Sequence, residues 1–318
     1  MLLPAWFEPV EYDLELHPNP TDARGKYRFE GSEVLSALVH EEGHRELTLH
    51  ARELSVLEAA WTALGTDAEL PAEGASYDHK EHSVTFKFAE PLPKGRGKLK
   101  LSFQATHNDQ MAGFYRSEYD GASGQKATMV STQFEALDAR RCFVCVDEPA
   151  AKAVFKATLV LPDARLTALS NMPESEVSLL PDGRKRVSFL PSPRMSTYLL
   201  AFAVGEFDFV QARTQHGVMV RVFTPPGKAS RGTFALDVAV KSLDLYDDYF
   251  AVPYPLPKLD MIAIPAFAMG AMCVASAPPS SPAPELTPPP PGRTGASSRT
   301  ARWRCSSRPT RPRSRSSA

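Results

Sequence analysis

The chain is poor in the features that mark several large protein classes. It has four cysteines in 318 residues, too few for the disulfide framework of a small secreted domain. Cys142 and Cys145 form a lone C-x-x-C. No second pair completes a zinc site and no thioredoxin-like context surrounds it, so two reduced thiols are predicted, as in a cytosolic protein. No apolar run approaches the length of about 18 residues that spans a membrane. The opening, Met1-Leu2-Leu3-Pro4-Ala5-Trp6-Phe7-Glu8, lacks a basic leader and has too short an apolar run for a signal peptide. There is no phosphate-binding loop, dinucleotide fingerprint or Ser/His/Asp order. No histidine follows His216.

Net charge is also nearly absent, at −1, but that average hides an asymmetry. Residues 273–318 hold eight Arg, no Lys and one acidic residue, Glu285, for a charge of +7, which leaves −8 on residues 1–272. An acidic body does not suggest a nucleic-acid partner, whereas a basic tail would attract acidic polymers weakly. Ten of the 29 prolines lie in the tail. Its Pro, Ser, Arg and Thr cannot bury enough apolar surface to offset chain entropy of roughly 1–2 kcal/mol per residue, so disorder is expected there.

What is present, up to about residue 205, is the period-2 alternation of strands with one buried face. Leu99, Leu101 and Phe103 alternate with Lys98, Lys100, Ser102 and Gln104. Val84, Phe86 and Phe88 do the same, as do Phe155, Ala157, Leu159 and Leu161. The continuously apolar run Tyr198–Val204 reads as a fully buried strand. Turn residues such as Pro91, Pro93, Gly95, Asp182-Gly183 and Pro191 separate these runs. So many short strands predict a mainly β fold, an antiparallel sandwich. Beyond it, residues 218–224 read as a strand and 230–250 as a helix. Leu236, Ala239, Val240, Leu243, Tyr246 and Phe250 form the buried face of that helix. Pro253, Pro255 and Pro257 end it, and a strand at Leu259–Ile264 follows. The expected organisation is a sandwich over 1–205, an incomplete α+β segment over 206–272 and a disordered tail over 273–318.

An ordered series of short motifs carries a resemblance. It runs through Pro9-Val10-Glu11-Tyr12-Asp13-Leu14, Thr132-Gln133-Phe134-Glu135-Ala136, Asp138-Ala139-Arg140-Arg141 and Asp147-Glu148-Pro149. It continues through Leu169-Ser170-Asn171-Met172-Pro173, Met195-Ser196-Thr197-Tyr198-Leu199 and Val252-Pro253-Tyr254-Pro255-Leu256-Pro257-Lys258, and closes on Gly270-Ala271-Met272. Over residues 4–272 the chain resembles the zinc aminopeptidases related to aminopeptidase N and the puromycin-sensitive enzyme. The resemblance implies an N-terminal β-sandwich followed by the opening strands and first helix of a thermolysin-like catalytic domain. It implies that Glu135 matches the carboxylate that grips a substrate's α-ammonium, and Gln133 a polar contact to the first substrate residue. Gly270, Ala271 and Met272 match the start of the Gly-Ala-Met-Glu-Asn signature, whose backbone lies alongside the peptide as an added strand would.

The departures from that family matter as much. Cys273 stands where a second ammonium-binding carboxylate is expected, and Ala266 where an Asp is usual. The family's helical His-Glu-x-x-His block should fall near Cys305, where the chain reads Trp303-Arg304-Cys305-Ser306. A literal copy does occur at His40-Glu41-Glu42-Gly43-His44. It lies between strand-like runs, so a hairpin turn is expected there rather than the helix that would align two ligands. The leading expectation is therefore a truncated family member with no catalytic residues and no metal site of its own, zinc belonging to the full-length family. The tail, beginning inside a motif, reads as translated intron or a frame change. An alternative is a non-catalytic sandwich module that binds peptides or proteins; a tail-mediated interaction with RNA is the least favoured. The expected partners are peptide N-termini, bound weakly, with no nucleic acid and no membrane span. Oligomeric state is left open.

Overall fold

The computed structural model describes residues 3–20, 27–121, 124–268 and 270–272. The expected tail, with Cys273 and Cys305, lies outside them. Nine strands come first: β1 (Phe7–His17), β2 (Arg28–Val39), β3 (Glu46–His50), β4 (Ser55–Ala63), β5 (Glu69–Asp78), β6 (Ser83–Phe88), β7 (Gly95–Thr106), β8 (Gly113–Asp120) and β9 (Lys126–Gln133). Then come β10 (Val154–Leu161), β11 (Thr167–Ser170), β12 (Glu174–Leu179), β13 (Lys185–Phe189) and β14 (Phe202–Gly205). The last elements are β15 (Asp208–Arg213), β16 (Met219–Thr224), the helix α1 (Thr233–Phe250) and β17 (Lys258–Ile262).

The fold is mainly β, as the alternation requires. Ten strands form one sheet in the order β12-β13-β10-β1-β2-β7-β4-β5-β6-β3, and four form a second, β11-β14-β9-β8. One apolar cluster runs through both, from Leu14, Leu35, Trp61 and Phe103 on the first to Phe114, Val130 and Val204 on the second. The long pair β2/β7 sets the register, with Leu35 opposite Leu99 and Gly31 opposite Phe103. Close packing makes Gly31 and Gly97 necessary. A Cβ would fall 2.5 Å from the Phe103 ring at Gly31 and 2.1 Å from Trp61 at Gly97. The sandwich is not wholly antiparallel, because β1 pairs parallel with β10.

Three local expectations are corrected. The run 198–204 is not one strand: Thr197–Leu199 is a 3-10 turn, and β14 starts at Phe202. The Asn171 side chain explains this, because its amide donates to the Leu199 carbonyl at 2.8 Å and its oxygen accepts from the Ala201 amide at 2.9 Å. Those backbone groups are thereby withdrawn from a ladder. The segment His40–His44 is a loop, not a hairpin turn, because β2 pairs with β1 and β7 while β3 pairs with β6. Finally, only part of the expected helix face is covered. Leu236, Ala239, Val240 and Leu243 pack with Val218 and with Val220 of β16, whereas Tyr246 and Phe250 are exposed. Those two rings stand 5.9 Å apart at the end of the helix, beyond the small sheet that covers its middle. The helix starts after a 3-10 turn at Ala229–Gly232 and stops where Ala251 turns left-handed (φ 52°), two residues before Pro253.

The third sheet, β15-β16-β17, has β16 and β17 parallel. It meets the second sheet through Phe223 and Ile262 against Leu169 and Ala203. Lys258 also donates to the Ser170 carbonyl at 2.7 Å. These contacts hold the third sheet against β11 and β14, next to β9, the strand that ends in Gln133.

Candidate functional site

The site residues cluster at the end of β9. Gln133 is the last residue of that strand and stands opposite Gly113 of β8. Its side chain is buried. The amide nitrogen donates to the Glu135 carbonyl at 3.4 Å, and its oxygen, Oε1, has no hydrogen-bond partner among the described residues. Buried acceptors are nearly always satisfied, so an orphan of this kind asks for an explanation. Glu135, two residues on, is exposed, and the Glu135–Ala136 peptide is cis. The turn thus presents one solvated carboxylate beside one buried, unused carbonyl oxygen. Together they suit a cationic group that also donates hydrogen bonds.

The turn after Glu135 is held by the Arg140-Arg141 pair. Arg140 Nε donates to Asp147 at 2.9 Å, with both side chains almost fully buried. Arg141 Nε donates to Asp138 at 2.8 Å and Nη1 reaches Glu53. Burial pushes the Asp147 carboxyl up, and the Arg140 guanidinium opposes this. The motifs around the site are therefore largely scaffolding, with a buried ion pair that would be costly to break from one side only.

The other predicted contacts approach from the end of the third sheet. The Ala266 carbonyl accepts from the Tyr115 hydroxyl at 2.8 Å and from Ser117 at 3.4 Å, both on β8. Gly270 and Ala271 are exposed and Met272 is half-buried. Among the described residues, no hydrogen bond joins Gly270, Ala271 or Met272 to Gln133 or Glu135. The structure thus brings Gln133 and Glu135 together in one turn and ties the loop leading to Gly270 to the neighbouring strand. Tyr115 and Ser117 escaped sequence reading. Their signal, the aromatic pair Phe114-Tyr115 beside Gly113, is compatible with a strand but does not point to a carbonyl 151 residues away.

Two cavities lie elsewhere. One of about 600 Å3 opens between β16, the start of α1 and the end of β17, and one of about 500 Å3 lies beside Arg140 and Asp147. Neither is lined by the five predicted site residues. Cys142 and Cys145 are free and buried, and burial pushes both thiols well up. No helix of the described residues is long and apolar enough to cross a membrane.

The described chain is thus a β-sandwich followed by a small mixed sheet and one helix. Residues 8–199 match the Peptidase M1 N-terminal domain and residues 234–277 the Peptidase family M1 domain. The chain belongs to peptidase family M1. It is 48% identical over 270 residues to "Aminopeptidase M1-B" of Oryza sativa subsp. japonica, covering 85% of this chain and 30% of that protein. It is 46% identical over 273 residues to "Aminopeptidase M1" of Arabidopsis thaliana, covering 85% and 30%. To "Puromycin-sensitive aminopeptidase" of Caenorhabditis elegans it is 41% identical over 271 residues, covering 85% and 28%. The chain therefore spans about 30% of the length of these curated relatives.

M1 is a metallopeptidase family, but the described residues do not fit a metal. Among them no group of three or more His, Cys, Asp or Glu converges on one point. The His40 and His44 rings have separate partners. His40 Nε2 bonds Glu8 at 3.0 Å, whereas the His44 ring stacks on Trp6 at 4.2 Å. The loop between β2 and β3 does not present two nitrogens to one ion as a helix would.

Proposed function

We propose that this chain forms the amine-recognising wall of a zinc-aminopeptidase site and does not hydrolyse peptides by itself. The observation that carries the reading is the orphaned Oε1 of buried Gln133, two residues before the exposed Glu135. A peptide's N-terminal ammonium would give one hydrogen bond to Oε1 and a charge-assisted one to Glu135. Gly270, Ala271 and Met272 would flank the first peptide bonds. In this reading residues 1–205 are the sandwich domain and 206–272 the start of a second domain. Hydrolysis needs an activated water and a group that takes its proton. Glu135 can only orient the amine, and contacts that bind substrate and transition state equally accelerate nothing. Affinity should be weak, since Cys273 stands where a second carboxylate would contribute. The ligand class is peptide N-termini rather than nucleic acid, and the sparse cysteine usage favours the cytosol.

The reading is tested by titrating the full chain with a dipeptide amide and its N-acetylated form. Free-amine binding near about 1 mM, lost on acetylation and in Glu135→Gln, is expected. Equal binding of the acetylated peptide would overturn it. A zinc assay with an aminoacyl-arylamide on wild type and His44→Ala completes the test. Turnover and one bound zinc, both lost in His44→Ala, would show that the loop at His40–His44 is a metal site after all.

A further inference from the structure

The larger cavity has the make-up of an anion site. Its floor is apolar: Val222 of β16, Ala235 in the first turn of α1, and Ile262 and Ile264. Its other side is electropositive. Lys228 and Arg231 line it, and neither is in an ion pair among the described residues. Gly232, where α1 begins, lines it too. That 18-residue helix has no side-chain cap and no acidic residue in its first turn, so the positive end of its dipole is not neutralised. Thr224, 5% exposed, lines the same cavity, and its hydroxyl has no hydrogen-bond partner among the described residues. A buried hydroxyl without a partner carries a desolvation cost of about 1–3 kcal/mol that a bound acceptor would relieve.

The walls are also held in place before any ligand arrives. The Gly227 amide donates to Asp208 at 2.6 Å and the Lys228 amide to the Pro225 carbonyl at 3.3 Å, which fixes the loop bearing Lys228. The Ala263 amide donates to the Phe223 carbonyl at 2.9 Å, which fixes the opposite wall. The one acidic lining residue, Asp120, is paired with Lys126 at 2.7 Å and also feels the charge of Lys228.

We infer that this cavity binds an organic anion with a single oxyanion head and an apolar body, of the alkyl carboxylate or alkyl phosphate class. The head lies between Lys228, Arg231 and the start of α1, and takes the Thr224 hydroxyl as a donor. The body lies on Val222, Ala235, Ile262 and Ile264. A cavity of about 600 Å3 suits a ligand of that size. The inference is independent of the amine site, because none of its residues is shared with Gln133 or Glu135.

Calorimetry on the full chain with octyl phosphate, octanoate, inorganic phosphate and octanol tests it. At least one of the two amphiphilic anions should bind, and about tenfold or more tighter than either octanol or inorganic phosphate. Which of the two anions binds tighter identifies the head. The double variant Lys228→Gln, Arg231→Gln, both side chains at the rim, should weaken binding about tenfold. Thr224→Val should weaken it about threefold, with a thermal midpoint no lower than that of the wild type confirming the fold. Octanol binding as tightly as the anions, binding of neither anion, or an unaffected double variant would each overturn the proposal.

Discussion

Trp61 and Leu243 are both large apolar side chains turned toward a sheet, yet their surroundings differ. Trp61 is 1% exposed within a cluster that spans two sheets. Leu243 is 9% exposed, and the other buried members of its cluster are Val218 and Val220. The sandwich buries its apolar faces between two layers, whereas the segment 206–272 has one sheet and one helix. A helix laid on a sheet covers one stripe of itself and leaves the rest to solvent. On α1 the uncovered side is itself apolar, with Phe234 at 78% and Tyr249 at 77% exposure. Local periodicity is thus sufficient to form the helix, but its stability depends on how many layers cover it.

Core truncations separate the two regions most strongly. Trp61→Ala removes a fully enclosed ring and should cost about 3–5 kcal/mol, read as a fall in the urea midpoint of the sandwich. A cost under about 1 kcal/mol would mean that the cluster is looser than its burial implies.

Acid should act on the sandwich next. Burial holds the His107 imidazole down from 6.5 to about 3. The neutral ring donates through Nδ1 to the Phe114 carbonyl at 3.1 Å and accepts at Nε2 from the Asn19 amide at 3.3 Å. The unfolded chain takes up this proton first, so the contribution is complete above pH 6.5 and is lost as pH falls toward 3. The slope from this group is at most about 1.4 kcal/mol per pH unit. Urea melts at several pH values on wild type and His107→Gln check it. An unchanged slope in the variant would remove His107 as the cause.

Leu243→Ala should cost about 2 kcal/mol and should act locally. Hydrogen exchange of 230–250 should speed up while that of β2 and β7 stays unchanged, since α1 opens below the global free energy. Wild-type protection of α1 equal to that of the sandwich would erase the contrast.

Glu33 makes an opposite pH signature. It is buried, neither carboxyl oxygen has a well-formed hydrogen bond, and burial pushes its pKa well up, opposed only by the Val144 backbone. The folded state therefore holds this proton longer than the unfolded one. Stability from this group falls as pH rises from the ordinary carboxylate range to the raised folded value. Glu33→Gln should gain about 1 kcal/mol at pH 7; a loss there would contradict the assignment. The smallest effect belongs to Phe234→Ser. It should change stability by less than about 0.5 kcal/mol while reducing self-association, measured by sedimentation.

The strands at 83–88, 95–106 and 154–161 could be read directly from their alternation. So could the helix, within three residues at its start. The Gln133 and Glu135 pair could be read as a motif, but the orphaned Gln133 oxygen could not. It depends on which groups the sheet leaves out of reach. The loop at His40–His44 had a ligand spacing in sequence, and only the wide separation of β2 and β3 in the sheet showed that it is not a hairpin.

Sequence alone determined the period of each element, the family motifs and the break in composition after Met272, because all three are local properties of the chain. Tertiary structure decided the rest. It set the parallel pairing of β1 with β10, the Asn171 clamp that ends the apolar run early, the Tyr115 bond to Ala266, and the side of α1 left bare. Each of these joins residues distant in the chain or depends on what such residues cover. Such contacts form only after strand order and register have brought them within hydrogen-bonding or packing distance.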